Sequence, residues 1–185
     1  MSNRAFILHG WQGSPDKCWR PWLKNELENK GFEVFVPAMP DTNNPRMSAW
    51  TEHLAKTVGR PDEDCYFVGH SLGCITIMRY LETLEENEKV GGCVFVAGFT
   101  DSLGYREIKN FFERPIVWER IRSHCKNFIA VHSDNDPYVP LKYGDIFKEK
   151  VGAELIVKHG MKHFGDDDGI TELPVVLESL LKISK

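Results

Sequence analysis

The sequence has no long apolar run and no excess of basic residues, and each absence excludes a class of protein. No stretch approaches the roughly 20 apolar residues that a membrane-spanning helix needs. The formal net charge is −4, whereas a nucleic-acid-binding surface needs clustered Lys and Arg. Residues 1–4 lead directly into a predicted strand, without the apolar core and cleavage site of a signal peptide. We therefore expect a cytoplasmic protein with no membrane or nucleic-acid partner.

The five cysteines are odd in number, scattered, and form no Cys-x-x-Cys pair. This pattern fits neither a disulfide framework nor a structural zinc site, and it favours buried, reduced thiols. His159 and His163 are four residues apart, a spacing that can bind metal on a helix, but Gly160 disfavours a helix there. We expect no metal and no cofactor.

Length and composition are those of one globular domain spanning residues 1–185. Hydrophobic residues make up 42% of the chain and charged residues 27%, so the chain can bury a sizeable core. The sequence contains no internal repeat, low-complexity segment or linker. A monomer is the default expectation.

Short apolar runs alternate with helical segments along the chain. The predicted strands are 4–9, 32–36, 65–68, 92–97, 127–132 and 153–158. The predicted helices are 19–30, 47–58, 72–85, 141–150 and 173–183, and an aromatic segment, 98–124, adds one or two short helices. Because the strands are continuous apolar runs, they predict a six-stranded parallel sheet with helices on both faces, an α/β fold.

Polar side chains gather just after several of these strands. Ligands of such sheets bind beyond the carboxyl ends of the strands, so functional groups are expected there. The residues at these positions are His9, His70, Ser71, Asp134, Asp136, His159 and His163. Their order along the chain, serine then aspartate then histidine, is that of α/β-hydrolases and not of chymotrypsin or subtilisin.

Residues 69–73 read Gly-His-Ser-Leu-Gly and lie between a predicted strand and a predicted helix. In this context Gly-x-Ser-x-Gly indicates a nucleophile elbow, a sharp turn in which the serine has φ > 0 and projects its hydroxyl. Glycine is needed on both sides because the strand and the helix pass close together. The backbone N–H of Leu72, at the helix start, is then placed to donate to an oxyanion.

A serine hydroxyl needs a base within hydrogen-bond reach, and the base needs an acceptor that fixes its tautomer. His163 is the preferred base, and His159, directly after the sixth strand, is the alternative. Asp136 is the preferred acceptor because a proline fixes the backbone after it, whereas Asp134 is the alternative, with an Asx turn as its competing role. The three aspartates at 166–168 are expected at the N-terminus of the last helix, without a catalytic role.

The second oxyanion donor is expected in the loop after the first strand, with the backbone N–H of Trp11 as first choice. The candidate substrate-binding side chains are Trp11, His70, Phe99 and Trp118, and Phe111 and Phe112 are further candidates for the wall of the pocket. Core packing is the competing role for these aromatic residues.

Further short motifs are spread from the first strand to the last helix. They are His-Gly-Trp at 9–11, Trp-Leu-Lys at 22–24, Met-Pro at 39–40, Gly-His-Ser-Leu-Gly-Cys at 69–74, Arg-Pro at 114–115, Asp-Pro-Tyr-Val-Pro at 136–140 and His-Phe at 163–164. Together they resemble the YdeN-like and retinoblastoma-binding-protein family of small serine hydrolases. The resemblance implies a compact α/β-hydrolase with sheet order 2-1-3-4-5-6 and no large lid. It also implies that Ser71, Asp136 and His163 form a catalytic triad with esterase or amidase activity.

The expected reaction is acyl transfer to water from a small carboxylic ester or amide, without a cofactor. Two alternatives stay open: a peptidase or amidase with the same triad, and an α/β-hydrolase-fold module that binds a protein partner and has little activity. A nucleotide-binding fold is disfavoured, because residues 9–13 do not fit Gly-x-Gly-x-x-Gly.

Overall fold

The computed structural model describes residues 2–185, and its six strands form one sheet in which every neighbouring pair is parallel. The strands are β1 (Arg4–Leu8), β2 (Glu33–Phe35), β3 (Cys65–His70), β4 (Gly92–Val96), β5 (Phe128–Ser133) and β6 (Glu154–Lys158). Their order, β2-β1-β3-β4-β5-β6, is the one that the family resemblance implies. The predicted fold class is therefore confirmed.

Helices cover both faces of this sheet because the strands carry apolar side chains on both. The helices are α1 (Arg20–Asn29), α2 (Met47–Val58), α3 (Leu72–Leu81), α4 (Trp118–His124), α5 (Lys142–Val151) and α6 (Pro174–Ile183). Phe6 and Leu8 of β1 belong to the core beneath α2–α5, whereas Ala5 and Ile7 belong to the core beneath α1 and α6. Among residues 2–185, none of the helices is long and apolar enough to cross a membrane.

Helix α3 ends at Leu81, earlier than the predicted end at residue 85. Side-chain donors occupy the carbonyls beyond it: Arg120 donates from Nε to the carbonyl of Glu82 at 3.0 Å and from Nη2 to that of Leu84 at 2.5 Å. These contacts come from α4, which is distant in sequence, so periodicity alone could not place the end of the helix.

Arg79 is fully buried in α3 and holds the segment between β4 and α4. Its guanidinium donates hydrogen bonds of 2.6–3.1 Å to the carbonyl oxygens of Phe111, Arg114 and Pro115. Its counter-charge is Glu82, whose two carboxylate oxygens lie 3.0 and 2.9 Å from Nη1. Residues 98–117 are therefore attached to the core through a buried charge that is fully paired.

Three buried histidines lie where strands end: His9 follows β1, His70 ends β3 and His132 lies near the end of β5. Each ring bonds to a backbone carbonyl oxygen, at 2.8 Å for His9, 2.8 Å for His70 and 3.0 Å for His132. Burial lowers the pKa of all three, so the folded chain favours their neutral forms.

Replacing Arg79 by methionine should lower the free energy of unfolding by about 3–5 kcal/mol, because Glu82 then stays buried with only the half-exposed Arg114, 3.3 Å away, as its counter-charge. Urea denaturation of Arg79→Met and wild type measures this difference. The matched control is Lys24→Met, which removes a half-exposed lysine of α1 whose pair with Glu28 is worth less than about 1 kcal/mol. A similar, small loss in both variants would contradict the structural role of Arg79.

Stability should fall as the pH drops below about 6.5, because the unfolded histidines bind protons that the buried ones resist. The stabilisation is complete above about pH 6.5 and is lost as the pH falls towards the lowered pKa values. Each histidine contributes up to about 1.4 kcal/mol per pH unit. Urea denaturation at about pH 7.5 and about pH 5.5 measures the loss. It should be smaller in His132→Gln, whose amide can still donate to Gly98, and an undiminished loss there would refute this account.

Candidate active site

Ser71 is the single residue between β3 and α3, and its backbone has φ 55° and ψ −120°. The turn is closely packed on both sides. A Cβ added at Gly69 would lie 2.8 Å from the nitrogen of Cys74, and one at Gly73 would lie 2.8 Å from the carbonyl oxygen of Leu8. No larger residue fits at either glycine, so the sequence motif and the sharp turn have the same cause.

Two of the predicted partners lie in line with the Ser71 hydroxyl. His163 Nε2 is 3.1 Å from Ser71 Oγ, and His163 Nδ1 is 2.8 Å from Asp136 Oδ2. The Asp136 side chain is only 1% exposed. Its second oxygen accepts hydrogen bonds from the N–H groups of Tyr138 at 2.8 Å and Val139 at 3.0 Å. These donors fix the orientation of the carboxylate, whose Oδ2 is placed to accept a hydrogen bond from His163 Nδ1.

The two alternative residues form a separate pair at the surface. His159 Nδ1 lies 2.6 Å from Asp134 Oδ2, and the His159 side chain is 87% exposed. Hydrogen bonds from the backbone N–H of Gly160 and from the ring of His159 hold the pKa of Asp134 below its ordinary value. The structure therefore joins Asp136 to His163 and Asp134 to His159, and only the first pair reaches Ser71.

The loop after β5 holds the loop after β6 residue by residue. Four consecutive side chains, 133–136, accept from four consecutive residues, 160–163. The contacts are Ser133 Oγ with Met161 N at 3.0 Å, Asp134 Oδ1 with Gly160 N at 2.9 Å, Asn135 Oδ1 with Lys162 N at 2.8 Å, and Asp136 with the ring of His163. These four contacts fix the position of His163, and no sequence motif indicates them.

The backbone of His163 is held on both sides. Its N–H donates to Asp168 Oδ2 at 3.1 Å, and the same oxygen accepts from Gly165 N–H at 2.9 Å. Its carbonyl accepts from His70 Nε2 at 2.8 Å.

The prediction that residues 166–168 lie at the N-terminus of the last helix was wrong: they form a 3-10 turn well before α6, which begins at Pro174. Asp168 thus supports His163 and does not cap the last helix.

Two backbone N–H groups are the predicted donors to an oxyanion. Leu72 N–H opens α3, and Trp11 N–H lies in the loop after β1; among residues 2–185, neither donates to a protein acceptor. A Cβ at Gly10 would lie 2.9 Å from Ser71 Cβ, so this loop packs directly on the serine. His9 fixes the loop, since Nδ1 donates to the Gly10 carbonyl and Nε2 accepts from Met39 N–H at 3.1 Å.

Ser71 and His163 open into a cleft of about 490 Å³. Its apolar and aromatic lining residues, here called the aromatic wall, are Trp11, Phe99, Leu103, Tyr105, Ile108, Tyr138 and Val139. Its polar and charged lining residues, here called the charged side, include Gln12, Lys17, Cys18, Arg20, Asp166 and Asp167. Within residues 2–185, no three His, Cys, Asp or Glu side chains gather as metal ligands would.

The predicted pocket residues fall into two groups. Trp11, His70 and Phe99 line the cleft. Trp118 does not: its ring packs against Phe147, with 6.5 Å between centroids, because the segment that carries it has already turned back onto α3 and α5. Its placement in the pocket wall was therefore wrong.

Sequence comparisons identify relatives along nearly the whole chain. Residues 5–182 match the family model described as serine hydrolase. The protein YdeN of Bacillus subtilis (strain 168) is 32% identical over 182 residues, which cover 97% of this chain and 95% of YdeN. The serine hydrolase RBBP9 of Rattus norvegicus is 31% identical over 176 residues, which cover 94% of this chain and 87% of RBBP9.

Solved structures show the same fold. The crystal structure of the ydeN gene product from B. subtilis matches with a TM-score of 0.94 and 30% identity over 98% of both chains. Est1E from Butyrivibrio proteoclasticus matches with a TM-score of 0.76 over 98% of this chain and 88% of its own, and at 16% identity this likeness concerns the fold alone. Since the family model spans residues 5–182 and both relatives exceed 30% identity, this chain belongs to the serine hydrolase family.

Proposed function

We propose that the chain cleaves small carboxylic esters through a triad of Ser71, His163 and Asp136 and an acyl-enzyme intermediate. The observation that carries the proposal is the unbroken series of hydrogen bonds from Asp136 through His163 to Ser71. Membership of the serine hydrolase family supports the same chemistry.

The proposed mechanism gives each proton transfer a donor and an acceptor. His163 Nε2 takes the proton of Ser71 Oγ as the oxygen attacks the carbonyl carbon of the ester. The same proton passes to the alkoxide oxygen as the bond between carbon and leaving group breaks. A water molecule then attacks the acyl-enzyme, with His163 again as the base, and releases the acid and free Ser71. Asp136 keeps its charge throughout and stabilises the imidazolium.

The developing oxyanion is assigned to the N–H groups of Leu72 and Trp11. Because neither N–H has a protein acceptor among residues 2–185, each is free to strengthen its bond as negative charge forms. One such donor contributes about 3 kcal/mol to transition-state stabilisation in related chemistry.

The cleft favours small substrates. Its volume of about 490 Å³ suits a compact acyl or alcohol group, and its aromatic wall offers apolar contact. Since the same triad can attack esters and amides, a paired panel of nitrophenyl esters and amino-acid anilides decides between an esterase and an amidase.

Ser71→Ala and His163→Ala should each lower kcat for 4-nitrophenyl acetate and butyrate by about 1,000-fold or more. His159→Ala is the matched control, since His159 pairs with Asp134 away from Ser71, and it should stay within about threefold of wild type. Circular dichroism confirms the folding of each variant.

A fluorophosphonate probe tests the activation of the serine separately, because only an activated hydroxyl forms the covalent adduct. Wild type and His159→Ala should be labelled, and Ser71→Ala should not. If wild type is neither labelled nor faster than Ser71→Ala, the enzyme proposal fails and a protein-binding module becomes the better explanation.

Asp168→Ala should lower kcat by about 10- to 100-fold while KM changes little, because the variant displaces His163 without touching the cleft. Asp168→Asn keeps an oxygen that can accept from both His163 N–H and Gly165 N–H, so it should recover most of the activity. Steady-state kinetics on 4-nitrophenyl butyrate provide the comparison. Equal losses in both variants would show that the two backbone contacts do not set the activity.

A further inference from the structure

A buried arginine lies at the charged side of the cleft without a full set of partners. Arg20, the first residue of α1, is only 2% exposed, and it lines the same cleft as Ser71 and His163. Its Nε donates to the carbonyl oxygen of Ser14 at 2.9 Å. Within residues 2–185, neither Nη1 nor Nη2 donates to a protein oxygen. Both terminal nitrogens of this nearly buried cation therefore lack an oxygen acceptor among the described residues, and the neighbouring Cys18 thiol is the side chain that interacts with the guanidinium.

No protein anion within the described residues neutralises this cation at contact distance. Asp166 is the nearby carboxylate, but it accepts from Cys18 N–H at 2.7 Å and pairs with Lys17 at 3.5 Å. The Cys18 thiol lies beside the guanidinium, and burial raises its pKa to about 11, so it is neutral near pH 7. Burial lowers the pKa of Arg20 itself, as expected for a charge that lacks compensation.

The charge of Arg20 acts on His70, next to the proposed nucleophile. Burial, then His163, then Arg20 lower the pKa of His70, the residue that precedes Ser71. Trp19, the neighbour of Arg20 in sequence, places its ring 5.9 Å from that of His70 in an edge-on contact. An anion bound at Arg20 would therefore lie within the same cleft as the acyl group on Ser71.

An arginine cannot relieve its burial by losing a proton, so a ligand or water must satisfy its free nitrogens. Its planar edge matches a carboxylate through two parallel N–H···O bonds. A single guanidinium balances the single charge of a carboxylate, whereas a phosphate dianion would keep one charge unmet. Asp166 and Asp167 are exposed at the rim, where solvent and salt screen their repulsion far more than they screen a buried contact.

We propose that Arg20 binds a carboxylate of the substrate, so that the chain prefers esters with a carboxylate near the scissile bond to neutral esters of the same length. This specificity rests on the hydrolase function proposed above. The carboxylate would sit at the charged side of the cleft while the remainder of the substrate contacts the aromatic wall.

The test compares 4-nitrophenyl hydrogen glutarate with its methyl ester, which has the same chain and leaving group but no charge. The corresponding adipate acid and methyl ester lengthen the chain between the scissile ester and the carboxylate by one methylene. The rate of spontaneous hydrolysis is subtracted for each ester. Wild type should show kcat/KM at least about tenfold higher for the acid of one pair than for its methyl ester, as expected for hydrogen bonds to a charged group.

Arg20→Met should lower this ratio of acid to methyl ester by about 10- to 100-fold, and Arg20→Lys, which keeps the charge without the planar edge, should give an intermediate ratio. Lys24→Met is the matched control: it removes a positive charge from the same helix outside the cleft, and the ratio should not change.

Three results would overturn the proposal: a wild-type preference for both methyl esters, an unchanged ratio in Arg20→Met, or an equal fall in Lys24→Met. If Arg20→Met does not fold, the wild-type ratio and Arg20→Lys decide. Failure of the hydrolase function itself looks different, since wild type would then cleave none of the four esters and its Ser71 would not react with a fluorophosphonate.

Discussion

The close approach of three backbone segments at Ser71 is the constraint on which the site depends. β3 and α3 meet there with one residue between them, and the loop after β1 packs against the same serine. Glycine at 10, 69 and 73 permits this approach, because a Cβ at any of the three would come within 3 Å of a neighbouring atom. The same close packing places the loop that carries Trp11 and the first turn of α3, which begins at Leu72, next to Ser71. The proposed nucleophile and the proposed oxyanion donors are thus products of one packing arrangement.

His163 is positioned by side-chain contacts between loops, unlike Ser71, which close backbone packing positions. His163 lies 92 residues from Ser71 in sequence, in the segment between β6 and α6. Side chains 133–136 accept from residues 160–163, Asp168 holds the N–H of His163, and His70 holds its carbonyl. Because these contacts join the ends of three parallel strands, the sheet itself aligns the proposed base with the proposed nucleophile. One of these contacts comes from a buried histidine, His70, whose pKa burial lowers.

Two buried arginines differ in how their charge is compensated, and this difference underlies the ligand-binding role proposed for Arg20. Arg79 has a carboxylate and three carbonyl oxygens around it, and it ties residues 98–117 to α3. Arg20 has one carbonyl bond, a neutral thiol and an acid already paired with Lys17, and it opens into the cleft. Composition and periodicity treat the two residues alike, since both are basic positions in helical segments. Only the hydrogen-bond and ion-pair partners in the folded chain distinguish Arg79 from Arg20.

The sequence by itself determined the parallel α/β sheet, the elbow at 69–73 and the few polar residues that could meet at the sheet edge. Apolar strands alternating with helices and glycines flanking a serine are local patterns, and local sterics and hydrophobicity govern them. Tertiary structure decided which aspartate pairs with which histidine, because residues two and four positions apart differ only in the direction their side chains take on a folded loop. It also moved Trp118 away from the cleft and gave Asp168 its contact with His163. Those outcomes depend on contacts between distant segments, and no local pattern encodes them.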